Sequence, residues 1–340
     1  MVARATLPPM NPVEFLAIGD TVVDDFIRLT DAKTHCRIDD DSCELCVRFG
    51  DKVPFESSTV VYGVGNAANA AVSAARLGLK SALLSHVGAD DRGAKIVEYF
   101  KSEGLVTDYV EQDPNVPTNY HYVLWYESER TILVKQNEYT YTFPKDLPPP
   151  KGLYFSSINP KAIEYRQDLI AYLSAHPDII FTFQPGVFEI KSGVEAFKGF
   201  YEHAHLMVCN KEEAERILNV EPTDDIKSLL AGLLALGPKH IIITDGRNGA
   251  YAYDGSRAFF VPMYPDPREP FERTGAGDAF ASSVAAALTL GHPIEEALLW
   301  GPINSMAVVQ EIGAQKGLLR KEALETYLAQ APESYRVSEI

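Results

Sequence analysis

The chain has 340 residues, 46% of them hydrophobic, and carries a formal net charge of −16; that suits one large domain, or a domain with a small lid, over a sizeable core. The negative charge speaks against general nucleic-acid or anionic-membrane partners, yet leaves room for an anionic small molecule held in a local pocket. No apolar run reaches about 18 residues, residues 1–12 lack the apolar centre of a signal peptide, and four cysteines are too few for a disulfide framework, so a cytoplasmic, reducing setting is expected.

In chain order, residues 14–18 read as a short apolar strand that runs into Gly19-Asp20-Thr21-Val22-Val23-Asp24. A carboxylate at the carboxyl end of a strand in an open α/β sheet faces the ligand crevice and can accept two hydroxyl hydrogen bonds. Asp24 and Asp20 are therefore candidate substrate ligands, against the plainer reading that each caps a turn. Residues 31–62 are mixed and polar, with β-like runs at 46–49 and 58–62, and read as part of a lid. His35, Cys36, Cys43 and Cys46 cluster there. A tetrahedral zinc site usually shows two closely spaced ligand pairs, and His35 and Cys36 are chain neighbours, so ordinary lid thiols are expected in place of structural zinc.

Gly63-Val64-Gly65-Asn66-Ala67-Ala68-Asn69 then opens an Ala-rich helix over 66–77, stopped by Gly78. Read locally, this imitates the G-x-G-x-x-A fingerprint of dinucleotide-binding dehydrogenases, with Asp90 about twenty residues on. Two amides beside glycines also suit a polyol, since each amide both donates and accepts, which makes Gly65, Asn66 and Asn69 candidate substrate ligands. A strand at 81–87, a helix at about 92–103 and β-ribbons within 119–142 follow, the stretch 119–136 completing the lid. After a Pro-rich linker at 146–150, strands at 153–156, 179–183, 206–209 and 240–244 alternate with helices at 162–175, 211–218 and 226–236. Repeated β-then-α units imply an α/β fold: a mostly parallel central sheet flanked by helices.

Three further motifs close strands or open helices. Asn210-Lys211-Glu212-Glu213 can be a helix N-cap with its capping-box partner. Thr244-Asp245-Gly246-Arg247-Asn248-Gly249 is, by itself, an ordinary pair of turns. Arg273-Thr274-Gly275-Ala276-Gly277-Asp278 precedes an apolar helical run at 279–290. Unpaired N–H groups at a helix start and the helix dipole attract an anion, and glycines allow close approach. An aspartate beside such an anion hole is out of place unless it accepts a proton. Anion hole plus base is the equipment for moving a phosphoryl group onto a hydroxyl.

Thr274-Gly275-Ala276-Gly277-Asp278 resembles the second signature of the ribokinase-like (PfkB) carbohydrate kinases, and the segment from Gly63 to Asn69, with Leu77-Gly78 at the right spacing, resembles the first. The resemblance runs over about residues 13–328. It implies a ribokinase-like kinase domain over 13–330 with a small β-sheet lid inserted at about 31–62 and 119–136, and terminal extensions at 1–12 and 331–340. It implies ATP-dependent phosphorylation of a sugar or sugar-like alcohol. Asp278 would be the base, and Gly275, Ala276 and Gly277 the anion hole. Asp24, with Asp20, Gly65, Asn66 and Asn69, would hold the acceptor. Asn210, Thr244, Gly246, Gly249 and Asn304 would hold the nucleotide, and Glu213 would influence Mg2+ through water. Arg273 can clamp a phosphate or pair with Glu272 on the surface. The chain departs from the family at three places. Val64 replaces a glycine, Gln184 stands where many relatives have aspartate, and Glu272 stands where an aspartate often helps bind a monovalent cation, so cation activation is not expected. A nucleoside kinase of the same family and a non-catalytic nucleotide- or sugar-binding sensor are the alternatives. The resemblance also suggests a homodimer through the lid.

Overall fold

The structure is a computed structural model that describes residues 10–36, 43–127 and 129–340. Residues 1–9 of the expected N-terminal extension and 37–42 of the first lid segment lie outside the described residues. The chain opens with β1 (Phe15–Ile18), β2 (Val22–Leu29), a hairpin of β3 (Lys33–Cys36) and β4 (Cys43–Cys46), and β5 (Phe55–Val64). Helix α1 (Asn66–Arg76), β6 (Ser81–Gly88), α2 (Asp91–Ser102) and β7 (Val110–Asp113) follow, then the ribbon β8 (Tyr120–Tyr126) and β9 (Glu129–Lys135). The next units are β10 (Gly152–Phe155), α3 (Ile163–Ala175), β11 (Ile180–Phe183), the short α4 (Val187–Ser192) and α5 (Lys198–His203), and β12 (Leu206–Asn210). Then come α6 (Lys211–Leu218), α7 (Ile226–Leu234), and strands β13 (His240–Thr244), β14 (Ala250–Tyr253) and β15 (Ala258–Val261). Helices α8 (Ala276–Thr289), α9 (Ile294–Val308) and α10 (Lys321–Ala329) and a final β16 (Ser338–Glu339) complete the chain.

The main sheet has ten strands in the order β16-β15-β14-β13-β12-β11-β10-β1-β6-β7. Its βα units make the run from β7 to β13 parallel, and β14 to β16 add antiparallel at one edge. One face packs on α1, α8 and α9, the other on α3, α5, α6 and α7. Helix α8 is apolar nearly all round, with every residue from Ala279 to Thr289 buried, so it belongs between the sheet and its outer helices. Parallel strands covered on both faces put their carboxyl ends at one open edge, and the candidate ligands gather there.

The lid is a four-stranded sheet in the order β5-β2-β8-β9, with β3–β4 as a separate hairpin. It begins earlier than the sequence suggests. The stretch from Val22 that reads as a crevice loop continues as β2, antiparallel to β5 and parallel to β8. The expected free lid thiols are corrected in part, because Cys36 and Cys43 lie directly opposite in the hairpin and form a disulfide. That bond occupies two of the four side chains considered for zinc. Cys46 remains a free, exposed thiol. At the C-terminus, the extension 331–340 packs on the main sheet and its helices. Tyr335 is buried and Ser338–Glu339 pairs with β15. Among the described residues no helix is long and apolar enough to cross a membrane.

Candidate active site

Helix α8 starts at Ala276, earlier than the apolar run beginning at 279 suggests, with Gly275 as its N-cap. Asp278 therefore lies inside the first turn, where N–H groups lack intrahelical acceptors. Gly275 is in the left-handed region at φ +79°, and a Cβ on it would sit 2.3 Å from Ala314 Cβ. Only glycine fits there. Thr274 before it is tied down, its N–H donating to Glu272 Oε1 at 2.7 Å and its hydroxyl to the same oxygen. Glu272 also accepts from Gly313 N at 3.3 Å and pairs with Arg130 of β9 at 3.0 Å. The surface pair considered between Arg273 and Glu272 is thus replaced. Arg130 takes the carboxylate, and Arg273 lies at the mouth of two adjoining cavities.

The larger cavity, about 680 Å³, opens at the carboxyl ends of the parallel strands, under the lid. Asp20, Asp24, Gly65, Asn66, Asn69, Asn210, Glu213, Thr244 and the 275–278 segment all line it, although they come from five parts of the chain. Asp278 faces this cavity between two amides. Asn69 Nδ2 donates to its Oδ2 at 2.7 Å and Gln184 Nε2 to its Oδ1 at 3.2 Å. Burial raises its pKa above the ordinary aspartate value, and the two amides partly offset that.

The two aspartates near β1 differ in kind. Asp20 accepts from Gln136 Nε2 at 2.6 Å, from Tyr141 Oη at 2.9 Å and from Asn159 N at 3.0 Å. Burial raises its pKa, opposed by the bonds from Tyr141 and Gln136. Its acceptor capacity is largely spent on holding the strand ends together. Asp24 is the reverse case, since its Oδ1 is buried with no hydrogen-bond donor among the described residues. His121 Nδ1 of β8 stands 3.4 Å from it. A buried carboxylate oxygen without a donor is costly unless a ligand supplies one. Gly65, at φ +120°, lets α1 begin against the Asp20 carbonyl, 2.7 Å from where a Cβ would be, and so brings Asn66 and Asn69 to the same cavity.

Asn210 and Glu213 form the capping box, with Asn210 N on Glu213 Oε2 at 2.9 Å and Glu213 N on Asn210 Oδ1 at 2.7 Å. Burial raises the Glu213 pKa. The smaller cavity, about 190 Å³, is lined by Thr244, Gly246 and Gly249 on one side and by the start of α8 on the other. Met263, Phe280 and Pro302 make its walls apolar. Asn304 is the one candidate that does not arrive. It is fully buried, its Nδ2 donating to Ser283 and its Oδ1 accepting from Leu319 N, and Ser305 faces the cavity in its place. Sequence reasoning also misses Arg130, Gln136, Tyr141, Tyr154 and Gln315, which have no local motif around them.

A model of the pfkB family of carbohydrate kinases matches residues 30–321. The chain belongs to that family. The ribokinase of Bacillus subtilis is 28% identical over 310 residues, which cover 86% of this chain and 99% of that protein. The structure of the Methanocaldococcus jannaschii nucleoside kinase superposes with a TM-score of 0.75 at 19% identity, covering 93% of this chain and 98% of the other. The Arabidopsis thaliana ribokinase complexed with ribose and ATP gives 0.76 at 17% identity, covering 94% and 99%. The protein is a carbohydrate kinase with the ribokinase fold, and the NAD-dependent dehydrogenase reading of the Gly63–Asn69 motif falls away.

Proposed function

We propose that this protein transfers the γ-phosphoryl group of ATP to a hydroxyl of a sugar or sugar-like small molecule, with Asp278 as the base. The observation that carries the reading is the position of Asp278. It is a carboxylate within the first turn of α8, beside N–H groups that have no acceptor within the helix, facing a cavity that also holds the unsatisfied oxygen of Asp24. Asp24, Asn66 and Asn69 hold the acceptor, and Asp278 takes its hydroxyl proton as the oxygen attacks. The N–H groups at Gly275, Ala276 and Gly277 stabilise charge on the phosphoryl oxygens. The smaller cavity, with Thr244, Gly246 and Gly249, receives the nucleotide. Magnesium, which neutralises phosphate charge when bound, would be held through water by Glu213. A lone carboxylate suits an ion that keeps most of its waters, and no group of three or more metal-ligating side chains converges among the described residues.

A nucleoside acceptor is the second reading. Ile132, Val134, Val187 and Phe188 are exposed apolar side chains that line the larger cavity, and they would suit an acceptor with a flat, apolar base. On the outer face of the lid, Val60, Tyr122 and Leu133 stand exposed in one cross-strand row, which supports a homodimer through the lid. The test of the reaction is ADP release with Mg-ATP across a panel of sugars and nucleosides. Acceptor-dependent release is expected, and binding of ATP with no release across the panel would favour a sensor.

A further inference from the structure

Asp278 does not sit freely in its cavity; two chains of side chains arrive at it from opposite sides. On one side Tyr99 Oη donates to Gln315 Oε1 at 2.7 Å, Gln315 Nε2 donates to Asn69 Oδ1 at 2.8 Å, and Asn69 Nδ2 donates to Asp278 Oδ2 at 2.7 Å. On the other, Tyr154 Oη donates to Gln184 Oε1 and Gln184 Nε2 donates to Asp278 Oδ1 at 3.2 Å.

On the first side the direction of both amides is fixed by their neighbours. Gln315 Nε2 also lies 2.8 Å from the carbonyl oxygen of Gly63, which can only accept. That end of Gln315 must be the NH2, so Asn69 must present its oxygen to Gln315 and its NH2 to Asp278. Gln315 is itself buried, at 2% exposed. Its turn is anchored by Arg76, whose Nη1 donates to the carbonyls of Gln315 at 2.7 Å and Leu318 at 2.8 Å while the guanidinium grips Glu103 with two bonds. The neighbouring Ala314 packs against Gly275, so one turn supports both the base and the anion hole.

We infer that Gln184 and Gln315, neither of which lies in a signature motif, are positioning residues that clamp the two carboxylate oxygens of Asp278 through oriented amides. The inference rests on the proposed role of Asp278 as the base. A base held at both oxygens cannot rotate away from the acceptor hydroxyl, and small misplacements of reacting groups are expensive in rate. Tyr99 and Tyr154 contribute one step further out by keeping the amides from turning over.

The experiment uses near-isosteric variants that cannot donate, Gln184→Met and Gln315→Met, with Tyr154→Phe as the mildest change. With an acceptor found in the panel, kcat should fall by about ten- to hundredfold in both Met variants. In Gln184→Met the acceptor KM should stay within about twofold, and Tyr154→Phe should give a smaller fall of the same kind. Side-chain amide NMR supplies a second readout that needs no turnover. The Asn69 NH2 signals should shift and exchange faster with water in Gln315→Met. An unchanged kcat in Gln184→Met, or an unchanged Asn69 signal in folded Gln315→Met, would overturn the clamp. If Gln315→Met fails to fold, Gln184→Met and Tyr154→Phe decide the matter. The moved signal without any ADP release from the wild-type protein would sink the proposed reaction and leave the clamp standing.

Discussion

Asp278 and Asp24 are both carboxylates on one cavity, but their surroundings assign them different work. Asp278 is held by two amides at the start of a helix, so replacing it by asparagine preserves its shape and removes its ability to take a proton. Asp278→Asn is expected to lower kcat by a factor on the order of 10²–10⁴, the usual worth of a general base. Retained turnover in a steady-state assay would remove Asp278 from the role. Asp24 has an oxygen awaiting a donor, so Asp24→Asn should act on binding. Losing a charged acceptor for an acceptor hydroxyl costs about 1.5–3 kcal/mol, or roughly ten- to hundredfold in KM. A variant that loses kcat with KM intact would place Asp24 elsewhere. The ingredients of this site were legible as short motifs because glycines, amides and carboxylates at strand ends have few other uses. Their mutual contacts were not legible. Asn69 meets Asp278 across 209 residues of sequence and Gln315 across 246, and no spacing rule reaches that far. Asn304 shows the converse, for a polar residue on a helix reads the same whether it faces a ligand or bonds two neighbours in the core.

Between elements, the most consequential contact joins the lid to the turn that leads into α8. Arg130 on β9 reaches Glu272, whose carboxylate also holds Thr274 and Gly313. The Glu272 side chain is 6% exposed and that of Arg130 is 31% exposed, so the carboxylate depends on the guanidinium while the guanidinium can fall back on water. Arg130→Leu leaves a buried, uncompensated charge. We expect a loss of roughly 1–3 kcal/mol, below the ~3–5 kcal/mol of a fully buried pair, measured by urea unfolding. An unfolding midpoint equal to wild type would mean that Glu272 is satisfied without the lid. The elements themselves were mostly readable, because an apolar strand followed by an amphipathic helix has one periodicity switch per unit. Strand β2 escaped because Asp24 and Asp25 in its middle look like loop chemistry, whereas in the sheet Asp24 faces the cavity and Asp25 bonds Ser58 and Tyr120 on the lid. Strand β16 escaped because two residues carry no pattern at all.

For the molecule as a whole, the charge of −16 means that acid relieves self-repulsion, and the buried carboxyls push in the same direction. Asp20, Glu189, Glu213 and Asp278 all have pKa values raised by burial, so the folded state binds their protons more readily than the unfolded chain does. His205 and His240 oppose them. Their rings lie tilted against each other at 5.1 Å where β12 and β13 begin, and burial, aided by His240, lowers the pKa of His205 from 6.5 to about 4. Burial lowers that of His240 as well. Both rings are neutral in the fold. Below pH 6.5 the unfolded chain takes up protons that the folded one refuses, so the His205 contribution is complete above pH 6.5 and is lost as the pH falls toward about 4, with His240 acting in the same sense. Because the carboxyls act in the opposite sense, the slope of the wild-type protein alone does not isolate the histidines. The comparison with His205→Phe does, since phenylalanine keeps a ring against His240 and cannot titrate. The thermal midpoint of His205→Phe should gain on that of the wild type steadily as the pH is lowered from about 6.5 to 4.5, and the two curves should run parallel above 7. A constant difference over the whole range would show that His205 enters the unfolded and folded states with the same proton affinity, and that acid lability in this protein has another source.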